Sequence, residues 1–209
     1  MLTPALLIAA GYLLGSVPFG YWLVRLVRGV DIRTVGSGNI GASNVWRTYG
    51  WRFGVPVMLF DIGKALVPAL LATELDGSLA GVLAGGAAMV GHARPLFLGF
   101  ARGGKAVATA GGAFLGVAPL VGLAGAGLWV IVFLVTRYAS VASMASAASL
   151  PLLAWAFGEP WPVIAFGAAA AAAVVFLHRP NIRRLLAGTE NRAVLRRRGR
   201  RATARVEPS

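Results

Sequence analysis

The 209-residue chain contains no cysteine. Disulfides, thiolate metal sites and cysteine nucleophiles are therefore excluded. Histidine occurs only at His92 and His178, with no suitable cluster of carboxylates to complete a metal site. Charge is also scarce, at 13% of residues against roughly a quarter in soluble domains. Acid is scarcer than base, with seven Asp and Glu against twenty Lys and Arg, of which only Lys64 and Lys105 are lysine. No strongly basic segment precedes the first apolar stretch, so that stretch is expected to be a retained span rather than a cleaved signal.

What is present is apolar. Hydrophobic residues make up 57% of the chain, and the mean hydropathy is +0.73. Several stretches approach the ~20 residues that cross a bilayer as helix. The runs are continuous rather than alternating, which argues against a β-barrel. The expected fold is an all-α polytopic integral membrane protein with about seven transmembrane helices, near 4–24, 51–73, 79–100, 104–117, 119–136, 138–157 and 162–178. Gly15, Ser16, Pro18 and Gly20 predict a kink or close packing in the first, and Leu75–Ser78 predicts a tight turn. Gly116, Pro119 and Gly122 break an overlong run, leaving a short, partly re-entrant fourth segment.

Charge sets the orientation. With the N-terminus outside and the C-terminus cytoplasmic, the inner segments 25–52, 94–105, around 137 and 179–209 hold nineteen of the twenty basic residues. The outer turns then hold Glu74, Asp76 and Glu159 and no basic residue. Residues 179–209 carry ten arginines against Glu190 and Glu207, a net +8, which suits a cytoplasmic tail drawn to anionic lipid. No nucleic-acid-binding motif accompanies these arginines, so nucleic acid is not an expected partner.

This orientation gathers the polar stretches on one face. The most informative is Val35–Arg47, V-G-S-G-N-I-G-A-S-N-V-W-R. Gly36, Gly38 and Gly41 allow close backbone approach to a ligand. Ser37, Asn39, Ser43 and Asn44 supply neutral donors, and Arg47 supplies a fork suited to phosphate. A phosphate-binding loop is one reading; a polar turn joining two spans is the other. In Arg102–Thr109, Gly103 and Gly104 precede Lys105 at a helix start, an arrangement fit for an anion, though the P-loop pattern is absent. Asp61 and Lys64 lie three apart on one helix face and would pair or line a polar cleft, while Gly63 permits close helix approach. His92 reads as a structural hydrogen-bonder, and Ser140 and Ser143 read equally as packing serines. His178 and Asn181 sit three apart at the inner end of the last span, where a hydrogen-bonding or capping role competes with a catalytic one. The only inner acids are Asp31, Glu190 and Glu207, so no nucleophile–base–acid set assembles. An enzyme built from this inventory works by positioning and electrostatics.

Together these stretches resemble a known family. G-S-V-P-F-G at 15–20, D-I-R-T-V-G-S-G-N-I-G-A-S-N-V-W-R at 31–47, D-I-G-K at 61–64, G-H-A-R-P-L-F-L-G-F at 91–100, G-G-K-A-V-A-T at 103–109, R-Y-A-S-V-A-S at 137–143 and H-R-P-N-I-R-R-L-L-A-G-T-E at 178–190 are similar to the PlsY-type membrane glycerol-3-phosphate acyltransferases. The resemblance covers residues 1–192 as one membrane-embedded acyltransferase domain and leaves 193–209 as a basic, disordered tail. It implies acyl transfer from acyl phosphate to sn-glycerol 3-phosphate, giving lysophosphatidic acid and phosphate, at the cytoplasmic face of the bacterial inner membrane. That is the first acylation of phospholipid synthesis. It implies no cofactor, no metal and no obligatory protein partner.

By the same resemblance the catalytic set falls on Ser37, Arg47, Lys105, His178 and Asn181. Substrate binding falls on Gly36, Gly38, Asn39, Gly41, Asn44, Gly103, Gly104, Thr109 and Ser143, with Asp61, Lys64 and His92 in supporting roles. The chain departs from the family in three places. Ala65 and Ala106 stand where glycine is usual after the two motif lysines, and one extra residue lies between His92 and Lys105. Alanine at a positive-φ position would be strained. A transporter is the first rival, but no internal repeat is visible. A phosphatidyltransferase would need an aspartate cluster the inner face lacks, and a purely structural subunit would not need so many polar motifs on one side.

Overall fold

The computed structural model of the chain describes residues 2–193, all helix, turn and loop. Residues 194–209, which hold the arginine-rich part of the expected tail and Glu207, lie outside the described residues. Helix α1 (Leu2–Gly15) ends at Gly15, and α2 (Phe19–Arg28) follows after Ser16–Pro18. The first expected span is thus broken where its Gly, Ser and Pro cluster, because Pro18 brings no N–H to continue the ladder. α2 is amphipathic, with Gly20 and Val24 buried and Arg25 and Arg28 exposed in its last turn. Helix α3 (Ala42–Tyr49) begins inside the polar stretch expected to be loop, and carries Arg47 in its last turn.

Helix α4 (Trp51–Ala93) spans 43 residues. A straight helix of that length would measure about 65 Å, twice the hydrocarbon thickness. Gly77 interrupts it with φ 80° and ψ 178°, and Gly81 comes back against Thr73 and Ala69. The helix is therefore two antiparallel arms, 51–76 and 78–93, joined at the turn expected over 75–78. Only glycine takes that φ without strain. The second arm stops at Ala93 rather than near residue 100. Pro95 ends it, and a 3-10 turn at Leu96–Leu98 leads into the loop 99–106.

The remaining helices are α5 (Val107–Val117), α6 (Pro119–Thr136), α7 (Ala139–Ala156), α8 (Trp161–Leu177) and α9 (Arg179–Leu186). Among the described residues, Pro4–Arg28, Trp51–Leu98, Pro119–Thr136 and Ala139–Ala156 are long and apolar enough to cross a membrane. Trp161–Leu177 with the bent Arg179–Leu186 makes a fifth, and Val107–Val117 is apolar but short.

Small residues hold the bundle together. Ala65, Ala69, Ala88 and Ala113 form one fully buried seam between the α4 arms and α5. Ala65, one of the departures from the family pattern, is helical there and its methyl completes that seam. Gly112 lies against the Ile62 carbonyl, and Gly91 against the Tyr12 carbonyl and Ser16 nitrogen, too close for any side chain. Between apolar helices in apolar surroundings, such close backbone packing replaces the hydrophobic drive. A second core surrounds Phe114, which stacks on Phe166 at 5.0 Å between ring centroids.

Candidate active site

Four segments separated in sequence meet at one end of the bundle: 33–47, 99–106, 137–143 and 178–193. Ser37, Gly38, Asn39, Arg102, Lys105, Pro180, Asn181 and Arg184 line a cavity there of about 150 Å³. Each wall has a local cause.

The first wall is a loop wound around one buried amide. Asn44 is 1% exposed. Its Oδ1 accepts the Ser37 N–H at 2.9 Å, and its Nδ2 donates to the Val35 and Asn39 carbonyls at 3.0 and 2.9 Å. Gly36 and Gly38 take φ 62° and 68° to wrap the backbone around it. Asn44 spends its hydrogen bonds on the loop, and the cavity is lined by Ser37, Gly38 and Asn39 instead. Asn39 Oδ1 accepts the Gly41 N–H at 2.9 Å, while its Nδ2 reaches the Gly103 carbonyl at 3.4 Å. Arg47 stands exposed at the rim, with Nη2 3.4 Å from Ser37 Oγ.

The second wall carries Lys105. Gly103 and Gly104 donate to the Ala93 and His92 carbonyls, each at 3.0 Å, tying the loop to the end of α4. Ala106 then takes φ 57° and ψ 17° as the residue before α5. Its methyl group is therefore in the left-handed region where the family pattern has glycine, a cost of about 1 kcal/mol.

The third wall is α9. Lys105 Nζ donates to Asn181 Oδ1 at 2.6 Å, and Asn181 Nδ2 donates to Glu190 Oε1 at 2.6 Å. The ammonium can only donate and the carboxylate only accept, so the amide orientation is fixed. Ser140 Oγ donates to the same Glu190 oxygen at 2.9 Å, and Arg184 Nε donates to Oε2 at 2.7 Å. Burial acts to raise the Glu190 carboxyl, but the bonds from Asn181, Arg184 and Ser140 outweigh it and hold it below the ordinary carboxylate value. Burial first, and the Arg184 charge second, pull the Lys105 ammonium down to about 8, with Glu190 opposing and Arg47 and Arg102 adding. The cluster thus holds a cation in a site rich in other cations, an arrangement that an anion relieves.

Other expected residues lie nearby without lining this cavity. His178 is 3% exposed at the junction of α8 and α9, with Nδ1 bonded to the Val174 carbonyl at 2.8 Å. Ser143 Oγ donates to the Ala139 carbonyl at 2.7 Å and accepts the Trp129 indole N–H at 3.1 Å, in the α6–α7 contact. Thr109 is fully buried on α5, its hydroxyl without a partner among the described residues. Asp61 and Lys64 pair at 2.7 Å inside the bundle, and Lys64 Nζ lies 2.7 Å from His92 Nδ1.

The resemblance gives no site role to Arg102 and Arg184, which line the cavity, or to Ser140 and Glu190, which join its polar network. Glu190 was legible as one of few inner acids at the end of the last motif. Arg184 was legible as i+3 from Asn181 on one helix face. Neither signal says that the chain after α9 folds back, which it does as far as Ala193, whose N–H reaches the Arg137 carbonyl at 2.8 Å.

Comparison with known proteins identifies the family. A family model described as glycerol-3-phosphate acyltransferase matches residues 5–188. A glycerol-3-phosphate acyltransferase of Geotalea daltonii is 47% identical over 192 residues, covering 91% of this chain and 98% of the relative. One from Roseiflexus sp. (strain RS-1) is 50% identical, covering 89% and 93%. A crystal structure of PlsY, an integral membrane glycerol 3-phosphate acyltransferase, in its glycerol 3-phosphate form superposes with a TM-score of 0.88 at 40% identity, covering 92% of this chain and 96% of that one. Its lysophosphatidic acid form gives 0.85 at 40% identity, covering 91% and 95%. Matched by the family model over residues 5–188 and by relatives and solved structures across nearly its whole length, the chain belongs to the glycerol-3-phosphate acyltransferase family of integral membrane enzymes.

Proposed function

We propose that the chain transfers an acyl group from acyl phosphate to sn-glycerol 3-phosphate, releasing lysophosphatidic acid and inorganic phosphate. The observation that carries this reading is the polar cavity. Lys105, Arg102 and Arg184 border it, Arg47 stands at its rim, and Glu190 is the carboxylate held beside them. That excess of positive charge suits two phosphates brought together. Bacterial relatives bear the same enzyme name, and the PlsY structures hold glycerol 3-phosphate and lysophosphatidic acid.

The reaction needs little from the protein beyond alignment. The terminal glycerol hydroxyl attacks the acyl carbonyl carbon, the bond from that carbon to the phosphate oxygen breaks, and phosphate leaves. The departing phosphate accepts the hydroxyl proton. Glu190 is engaged by three donors, which agrees with a mechanism that asks for no carboxylate base. Ser37, Asn39 and Asn181 donate to phosphate oxygens, and Arg47 and Lys105 neutralise their charge. Ser143 and His178 act from the adjoining α7 and α8–α9 junction. Holding the two substrates in register is worth up to about 7–11 kcal/mol of barrier.

The acyl chain would lie on the outer face of the bundle. A groove of about 500 Å³ lined by Leu14, Pro56, Leu59, Phe60, Gly63, Lys64 and Val67 is almost wholly apolar. In this reading the chain crosses the membrane seven times, counting α1–α2, the two arms of α4, α5, α6, α7 and α8. The N-terminus lies outside, and the cavity opens to the cytoplasm at the bacterial inner membrane. The basic tail meets anionic lipid.

A purified-protein assay with palmitoyl phosphate and glycerol 3-phosphate tests the function. Lysophosphatidic acid and phosphate should appear in equal amounts, and acyl-CoA should not substitute. Absence of product in both detergent and lipid would refute the acyltransferase reading, and equal turnover with acyl-CoA would refute the donor.

A further inference from the structure

The buried ion pair inside the bundle is not explained by stability alone. Asp61 and Lys64 are 3% and 6% exposed, on the first arm of α4, and His92 is 4% exposed near the end of the second. A charge pair in an apolar bundle is costly and is often replaceable by well-packed hydrophobic side chains. Its connections point elsewhere. Lys64 Nζ reaches Asp61 Oδ1 at 2.7 Å, His92 Nδ1 at 2.7 Å and the Val17 carbonyl at 3.2 Å. An ammonium has three N–H bonds and no lone pair, so all three are used and His92 Nδ1 must be the acceptor. The imidazole proton is therefore on Nε2. That nitrogen abuts Gly104, where any Cβ would overlap it. The His92 carbonyl also accepts the Gly104 N–H at 3.0 Å. The residue after Gly104 is Lys105.

We propose that Asp61, Lys64 and His92 form a positioning brace that seats the Gly103–Gly104 turn and thereby aims Lys105 at the substrate phosphates. The inference rests on the acyltransferase reading for what Lys105 does, and on geometry alone for what the brace does. The brace joins three parts of the site. Through Val17 it holds the break between α1 and α2, ahead of the first wall. Through His92 it spans the two arms of α4. Through Gly104 it meets the lysine loop, whose Gly103 carbonyl is also touched by Asn39. A methionine at 64 would fill the same space but leave the ring without a donor to fix its tautomer and tilt.

The chain has only two lysines, so selective 13Cε-lysine labelling gives two side-chain NMR signals, assigned with Lys105→Arg. In His92→Ala the Lys105 signal should move towards the position of a free, solvated lysine. kcat/KM for glycerol 3-phosphate should fall at least roughly tenfold, as misplacing a catalytic group does. The same fall should be absent when His92→Ala is added to Lys105→Ala, since the brace acts through that residue. Gly104→Ala should be severe alone, yet cost nothing further in the His92→Ala background, where the ring no longer opposes the new methyl. The neutral pair Asp61→Asn with Lys64→Met leaves no unpaired charge and serves as the second variant. It should shift the Lys105 signal in the same direction.

An unmoved Lys105 signal in both the His92→Ala and the Asp61→Asn/Lys64→Met proteins would overturn the brace. So would additive losses from His92→Ala and Lys105→Ala. An inactive wild-type protein whose Lys105 signal still responds to His92→Ala would instead refute the acyltransferase reading and leave the brace standing.

Discussion

Lys105 makes the sharpest prediction. Its ammonium is pulled from an ordinary value of 10.5 to about 8 by burial and by the Arg184 charge. Keeping it protonated in the free enzyme at neutral pH costs roughly 3 kcal/mol, since one unit is about 1.4 kcal/mol. The sign follows from proton binding. Between about 8 and 10.5 the unfolded chain holds this proton and the folded protein does not, so this residue makes folding more favourable as pH rises through that window. Activity moves the opposite way, because only the ammonium binds phosphate. The plot of kcat/KM for glycerol 3-phosphate against pH should therefore fall above about 8. At saturating substrate the limb in kcat should move upward, because bound phosphate stabilises the ammonium it contacts. Lys105→Arg, whose guanidinium stays charged throughout, should lose activity overall but lose the alkaline limb as well. The assay is phosphate release from pH 6 to 10, corrected for spontaneous acyl phosphate hydrolysis. A wild-type profile flat to pH 10, or an alkaline limb that persists in Lys105→Arg, would refute the assignment.

Three further outcomes follow from the same geometry. Glu190→Gln keeps the shape but removes the charge that engages Arg184 and Asn181; it should lower stability by about 2–3 kcal/mol and turnover by more than tenfold, read by thermal unfolding in detergent and by product formation. Asn44→Ala strips the 33–47 loop of its central amide. It should cost about 2–4 kcal/mol, with faster amide exchange at Ser37 and a raised KM for glycerol 3-phosphate, whereas an unchanged exchange rate would show that the loop holds itself. Gly63 faces open space beside the apolar groove, so Gly63→Leu should raise KM for palmitoyl phosphate several-fold and leave shorter donors and glycerol 3-phosphate unaffected. Equal effects on all donors would place the acyl chain elsewhere.

The division between what could and could not be read from the sequence follows the range of the forces. Helical runs, the break at Ser16–Pro18, the turn near Gly77 and the Asp61–Lys64 pair were legible because each depends on neighbours within a turn or two. The glycines of 36–41 and 103–104 announced two tight backbone segments for the same reason. The positive φ at Ala106 was legible only as a departure from a family pattern, since alanine carries no sign of its own strain. Local hydrophobic pattern could not show that α3 starts within the first polar stretch, because Gly-Ala-Ser-Asn serves as loop or helix start equally well.

Which polar groups share a cavity depends on long-range packing. Asn181 and Lys105 are 76 residues apart, and Ser140 and Glu190 are 50 apart. Those meetings depend on how glycine and alanine seams let the helices approach, and on the chain beyond α9 turning back towards Arg137. By side-chain identity alone, Asn44 and Asn39 are equal candidates to bind a ligand. Packing separated them by burying Asn44 among the loop's own backbone and leaving Asn39 at the cavity wall. Charge and hydropathy along the chain were enough to gather the basic and polar stretches at one end of an apolar bundle. Which residues form the site was set by long-range packing, because a hydrogen bond is decided within about an ångström and no local pattern carries that precision.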